Sequence, residues 1–205
     1  MSKDNTVGSQ ESLSKDQEEI LVGLMLGDGC LELQHKNPRL RVDHSMKQKD
    51  YIEWLYSQFK DFCNQRPHQL NRVDKRNGRI YDHYLLTTRT SLAFRKYFNM
   101  FYAEKKKTIP KNLMDLLKSK LTLAVWYMDD GFKRGDCSSL YLCTSGFKLE
   151  DQKFLQEILE KLYGFKTKIH FASKNARIYF PVQFAKEFCN LVRPFILPQF
   201  TYKLL

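Results

Sequence analysis

The sequence predicts an α+β protein built as two pseudo-symmetric αββαββα lobes. Each lobe carries a four-stranded antiparallel sheet, and one apolar helix from each packs at the centre. Three observations lead there. The order helix, strand pair, helix, strand pair, helix is read twice, at an offset of about 100 residues. Each copy opens with a helix that is apolar on nearly every face and ends in Asp-Gly: residues 21–29 and 123–131. The strands alternate apolar with charged residues at period two, as in sheets with one buried and one open face.

In the first lobe Ser14 supplies an N-cap, Asp16, Glu18 and Glu19 favour the first turn, and the helix is expected to stop at Gly29. Its second half, residues 20–26, is apolar all round and must be buried. From 30 to 46 the period becomes two: Leu31, Leu33, Leu40 and Val42 face inward and Glu32, Gln34, Arg39 and Arg41 outward, around a turn near Asn37-Pro38. Helical spacing returns over 48–64 through Tyr51, Ile52, Leu55, Tyr56, Phe59 and Phe62. Strands over 69–73 and 79–88 flank a Lys75-Arg76-Asn77-Gly78 turn, and a helix over 91–101 closes the lobe.

The second lobe repeats the order: an apolar helix over 121–130, a hairpin over 133–145 turning near Gly135-Asp136, and an amphipathic helix over 149–163. Strands over 166–171 and 177–180 follow, then a helix over 181–192 started by proline. Arg79-Ile80-Tyr81 is echoed by Arg177-Ile178-Tyr179, and Ser45 by Ser145. The expected organisation is a leader (1–16), a first lobe (17–101), a basic linker (102–120) with Lys105, Lys106, Lys107 and Pro110, and a second lobe (121–205).

Composition narrows the function. The 205 residues carry a formal net charge of +11, so a polyanionic partner is expected. No apolar run approaches the roughly 18 to 20 residues that cross a bilayer, and the leader lacks a hydrophobic segment, so neither secretion nor membrane insertion is expected. The five cysteines are widely spaced without a CxxC pair, which argues against a disulfide framework or a zinc module.

Both apolar helices end in a carboxylate, Asp28 and Asp130, where the helix dipole disfavours one by a few tenths to about 1 kcal/mol. Side by side, two such groups about 5 Å apart repel by about 3 kcal/mol at an effective dielectric near 20. A divalent metal relieves both penalties, and carboxylate and carbonyl oxygens suit Mg²⁺ or Mn²⁺. Gly23 and Gly27, at i and i+4, admit a close partner helix; the second helix has Val125 and Asp129 there, so the crossing is not symmetric.

The strands supply a candidate nucleic-acid face. Residues 161–186 hold Lys161, Lys166, Lys168, Lys174, Arg177 and Lys186 and no acid, and in 166–171 the basic residues alternate with Thr167, Ile169 and Phe171, which are expected on the core face. Candidate contacts in the first lobe are Glu32, Gln34, Arg39, Arg41, Asp43, Asn71, Arg72, Lys75, Arg76 and Arg79; in the second, Lys133, Arg134, Lys166, Lys168, His170, Lys174 and Arg177. Antiparallel ribbons enter the major groove, where such side chains read base edges.

At these residues the chain resembles the LAGLIDADG homing endonucleases, in the single-chain two-motif form of organellar group I introns. The likeness extends over residues 18–205. It rests on the two motifs, on Lys106-Lys107-Thr108-Ile109-Pro110, and on Pro198-Gln199-Phe200-Thr201-Tyr202-Lys203-Leu204. Departures are Leu26 at the first Asp of the name-giving motif, and Val125 and Asp129 at its small-residue positions. The Tyr127-Met128-Asp129-Asp130 string also spells a reverse-transcriptase motif, but that belongs to a β-turn in a far larger palm, not to the end of an apolar helix.

The resemblance implies a monomer whose sheets form a saddle over duplex DNA, cutting both strands by metal-dependent hydrolysis to leave 3′ overhangs. Asp28 and Asp130 would bind Mg²⁺, with Mn²⁺ as substitute, helped by backbone carbonyls near Gly27 and Asp129; Lys107 and Lys203 would sit beside the scissile phosphates. The alternative it carries is an intron maturase that binds RNA and assists splicing. An intracellular setting in a chloroplast or mitochondrion of an intron-bearing host is the corresponding expectation.

Overall fold

The computed structural model of the chain describes residues 12–172 and 175–205; most of the expected leader, and Lys174, lie outside the described residues. The first lobe runs α1 (Lys15–Leu26), β1 (Cys30–Gln34), β2 (Asn37–Ser45), α2 (Lys49–Phe59), β3 (His68–Val73), β4 (Ile80–Thr87) and α3 (Arg95–Phe101). The second runs α5 (Lys120–Asp130), β7 (Gly131–Lys133), β8 (Leu140–Cys143), α6 (Leu149–Tyr163), β9 (Lys168–Ala172), β10 (Asn175–Phe180) and α7 (Val182–Val192). Between them lie a short hairpin, β5 (Tyr102–Ala103) with β6 (Lys106–Lys107), and one helical turn, α4 (Leu113–Leu116). The two large sheets have the same antiparallel order, β1-β2-β4-β3 and β7-β8-β10-β9.

Local chemistry accounts for the ends of α1. Ser14 Oγ accepts the Gln17 N–H at 3.2 Å while Gln17 Oε1 accepts the Ser14 N–H at 2.9 Å, a reciprocal capping box. The helix stops earlier than expected, at Leu26, with the Gly27 N–H on Gly23 O and the Gly29 N–H on Leu24 O. Residues 20–26 of α1 and 122–128 of α5 are all buried, as the apolarity of all but Thr122 requires, and the Thr122 hydroxyl donates to Glu19 O at 2.9 Å. They form the middle of one apolar cluster that spans both lobes.

Three details differ from the sequence reading. Gln34 pairs with Asn37, so the first hairpin turns at His35-Lys36, where His35 takes a φ of 51°; Pro38 lies buried in β2 opposite Leu33. This register keeps Pro38, Leu40, Val42 and His44 on the buried face. Leu33 and Phe171 were expected on the core face, yet they are 51% and 63% exposed, because each lies near a hairpin tip at the edge of the covered sheet. Lys166 precedes β9 in the connection from α6 and is not a strand residue.

Interhelical distance is set by glycine. A Cβ on Gly23 would stand 2.7 Å from Val125 Cβ and 2.8 Å from Thr122 O, and one on Gly27 would stand 2.4 Å from Asp129 Oδ2. The crossing is unsymmetrical as expected: Gly23 lies in α1 and Gly27 caps it, and both face larger residues of α5. Gly23→Ala should therefore destabilise the protein by about 1–3 kcal/mol, since overpacking outweighs the gain in helix propensity. Thermal denaturation should show a Tm lowered by about 2–4 °C per kcal/mol. Gly135→Ala, where a Cβ would meet nothing within 4 Å, serves as the control. Equal melting of the two variants contradicts the crossing.

Candidate active site and nucleic-acid interface

The crossing of α1 and α5 brings the two Asp-Gly ends together. Asp129 is the strut between them. Its side chain is fully buried, its Oδ2 accepts the Asp28 N–H at 3.0 Å, and its Oδ1 accepts the Tyr51 hydroxyl of α2 at 2.8 Å. Burial, reinforced by the Asp28 charge, pushes its carboxyl well above the ordinary range, and burial beside Asp129 does the same to the Tyr51 hydroxyl.

Asp28 presents a half-exposed carboxylate. Asp130 is more enclosed, and burial followed by the Asp28 charge raises its pKa from 3.8 to about 7, against the pull of Lys107, Lys203 and Trp126. Two lysines occupy corresponding places at the helix ends. Lys107, on β6, donates to Gly27 O at 2.7 Å and Gly29 O at 2.8 Å; Lys203 donates to Met128 O at 2.6 Å and Asp129 O at 3.3 Å. These ammonium groups complement the negative ends of the helix dipoles. Burial lowers the pKa of both, while Asp129, Asp130 and Asp28 oppose that shift.

The junction thus gathers Asp28, Asp130, Lys107, Lys203, Gly27 and Asp129 from four separate segments. His44 joins them. One ligand atom each from Asp28, His44 and Asp129 lie within 4.8 Å of one another. Carboxylates clustered where burial, and after it the Asp28 charge, raises the pKa of Asp129 and Asp130 are a site that a divalent cation stabilises, and their oxygens suit hard ions of the Mg²⁺ and Mn²⁺ kind. Sequence reading placed Tyr51 among apolar core positions and left His44 unassigned. The available signal was a histidine at the inward step of a period-two strand, after Leu40 and Val42.

The two open sheet faces differ in chemistry. In the first lobe Glu32 accepts from Arg39 at 2.8 Å and Arg41 at 3.4 Å, while Asp43 accepts from Arg41 at 2.8 Å, from Arg72, and pairs with His83 Nδ1 at 2.8 Å. Its partners His83 and Arg72 hold the Asp43 carboxyl below its ordinary range despite burial. Asn71, Lys75 and Arg79 are exposed on or beside β3 and β4, Arg76 clasps Asp74, and Gln34 is exposed at the first hairpin tip.

In the second lobe the face is aromatic. His170 stacks on Tyr179 with ring centroids 4.1 Å apart and meets the Tyr141 hydroxyl at 3.1 Å, and the Arg177 guanidinium lies 5.5 Å from the Phe132 ring centroid. Lys168 is exposed on β9, and Arg134 pairs with Asp136. Lys133 instead turns its ammonium to Leu204 O at 3.3 Å. Among the described residues no helix is long and apolar enough to cross a membrane.

Comparison with known proteins bears on both surfaces. The LAGLIDADG DNA endonuclease family matches residues 18–188. "Probable intron-encoded endonuclease 1" of Wickerhamomyces canadensis is 32% identical over 199 residues, 95% of this chain and 86% of that protein. "Cytochrome b mRNA maturase bI2" of Debaryomyces hansenii is 27% identical over 98% of this chain and 78% of its own length. The structure of the homing endonuclease I-WcaI bound to its DNA recognition sequence superimposes with a TM-score of 0.88 at 32% identity, over 95% of this chain and 88% of that one.

Asp130 lends the junction a pH signature. The folded state retains a proton on this carboxyl that the unfolded chain releases near its ordinary pKa of 3.8, so ionisation in the fold costs stability as pH rises from about 4 to about 7. In metal-free buffer, the stability of the wild type relative to Asp130→Asn should fall across that window and level off above it. Denaturant melts at a series of pH values measure the difference, and a difference independent of pH contradicts the raised pKa.

Proposed function

The chain belongs to the LAGLIDADG DNA endonuclease family, and on that premise we propose that it is a homing endonuclease cutting one long, asymmetric duplex site. The observation that carries this reading is the paired helix ends. Each presents a carboxylate, Asp28 or Asp130, and each has a lysine on its terminal carbonyls, Lys107 partly buried and Lys203 buried, one set for each strand of a duplex.

Asp28 and Asp130 would hold Mg²⁺, with Mn²⁺ as a substitute, and carbonyls Gly27 O and Asp129 O lie beside them with a lone pair free after each lysine contact. Bound there, the ion supplies an activated water and charge stabilisation for the leaving 3′ oxygen. The protein's part is positional. Asp129 and Tyr51 fix the angle between the helix ends, and Lys107 and Lys203 place positive charge where a scissile phosphate would gain negative charge. Hydrolysis at two centres related by the pseudo-twofold leaves staggered ends with 3′ overhangs. A monomer suffices, because both half-sites lie on one chain.

The sheets bind the duplex. The ion-pair lattice of the first lobe, Arg39-Glu32-Arg41-Asp43-Arg72, holds guanidinium groups in fixed orientations, a prerequisite for bidentate reading of base edges. Intron RNA is the alternative partner, supported by the likeness to the maturase. Duplex cutting against stimulated splicing of intron RNA discriminates the two. Likeness to an intron-encoded endonuclease supports a gene carried in an intron, with a mitochondrial or chloroplast host as the proposed setting.

Incubation with Mg²⁺ and a library of long duplex sites should yield specific double-strand cuts. Asp28→Asn and Asp130→Asn should each slow cutting by about 100-fold or more while retaining binding. Unchanged cutting by either variant removes that carboxylate from the proposed role. Duplex affinity should also fall linearly with salt on a double-logarithmic plot, by about 0.9 for each phosphate neutralised. Lys168→Ala should reduce that slope by about 1, and a flat salt dependence sinks the sheet interface.

A further inference from the structure

His44 occupies a position where the fold calls for an apolar side chain. It follows Pro38, Leu40 and Val42 on the buried face of β2, and its side chain is only 8% exposed. Its ring lies edge-on to Tyr51 at 5.4 Å between centroids, and Nε2 is buried without a hydrogen-bond partner. An unpartnered polar atom in a core is costly and calls for an explanation. The ring stands between two carboxylates: Nδ1 is 4.0 Å from Asp28 Oδ2, and Nε2 is 3.9 Å from Asp129 Oδ1. Neither separation is a hydrogen bond.

We infer that His44 is a ligand of the divalent cation held at Asp28, binding through Nδ1 while its Nε2–H is directed to Asp129. The inference rests on the metal-dependent reading above and adds a nitrogen donor to it. An imidazole that ligates with one nitrogen and points the other N–H at a carboxylate is the common arrangement of metal-bound histidine, because the carboxylate fixes the tautomer and strengthens the donor. The spacing is suitable, since ligands about 2.1 Å from an octahedral ion lie about 3 Å apart when adjacent and about 4 Å when opposite. Asp129 then serves as an orienting group, consistent with both of its oxygens already accepting hydrogen bonds.

Among the described residues the second lobe has no counterpart. Thr144 stands at the equivalent point, one residue before Ser145 as His44 is before Ser45, and its hydroxyl donates to Gln152 Oε1 at 2.8 Å. The two half-sites are therefore unequal in donor chemistry, and a nitrogen ligand shifts the Asp28 half from Mg²⁺ toward Mn²⁺.

Mn²⁺ bound to the full chain, observed by pulsed electron paramagnetic resonance, tests this directly. The wild type should show the ¹⁴N coupling of a directly bound imidazole, replaced by the ¹⁵N pattern when histidine alone is ¹⁵N-labelled. His44→Gln should lose the coupling and weaken Mn²⁺ binding by about tenfold or more, with a smaller loss for Mg²⁺; His35→Asn should keep it. Mn²⁺ bound with oxygen ligands only overturns the role of His44 and leaves the carboxylate centre standing. Mn²⁺ binding unaltered by Asp28→Asn overturns the centre itself. The wild-type spectra decide the matter even if His44→Gln does not fold.

Discussion

Everything at the functional centre depends on how closely α1 approaches α5. Gly23 and Gly27 supply no side chain where Val125 and Asp129 need room, so the helices meet with the Asp129 carboxylate against Gly27. That contact puts an ionisable group in a fully buried position. It is tolerable because a backbone N–H from one motif helix and a tyrosine hydroxyl from α2 satisfy its two oxygens. The same hydrogen bonds lock the Asp28 backbone to the end of α5. Packing and electrostatics here are one constraint, and a change in either would move both helix ends.

The helix ends create an electrostatic problem that the remainder of the chain resolves. Three carboxylates and two negative dipole ends converge, with Asp129 fully buried, Asp130 largely enclosed and Asp28 half-exposed. Lys107 and Lys203 answer with two ammonium groups, each placed on terminal carbonyls and not directly on a carboxylate. Burial, and after it the Asp28 charge, keeps a proton on Asp130 near neutrality, and the same crowding of partly desolvated carboxylates suits the site to a divalent cation. Its positioning requires the small hairpin after α3, which delivers Lys107, and the chain end, which delivers Lys203 and anchors Tyr127 through its hydroxyl on Lys203 O at 2.6 Å.

Pseudo-symmetry extends to topology but stops at chemistry. Both sheets share one strand order, yet the first presents a lattice of arginines and acids and the second a cluster of aromatic rings with Arg177 and His170. A target made of two different halves requires two different reading faces on one frame. Tandem lobes allow this, because the buried positions alternate with open ones and the open ones carry no packing duty. Val73, Ile80 and Phe171 at the sheet tips are exposed for the same reason.

The repeat, the element types, the burial of α1 and α5 and the open faces of the strands were legible in the sequence. Each is encoded by local periodicity or by a residue at a helix end, such as Ser14 before Lys15 or the Asp-Gly pairs. The pairing of Asp28 with Asp130 followed from the repeat, and Lys107 and Lys203 were reached through family resemblance alone. Tertiary structure decided the rest. Asp129 became a strut, Tyr51 its donor, and His44 an inward ring, through contacts between residues as far apart as Asp28 and Asp129, 101 positions along the chain. Hydropathy patterns report which face of an element is buried. They do not report what a buried polar atom meets there, because desolvation and hydrogen bonding depend on neighbours that only the packed fold supplies.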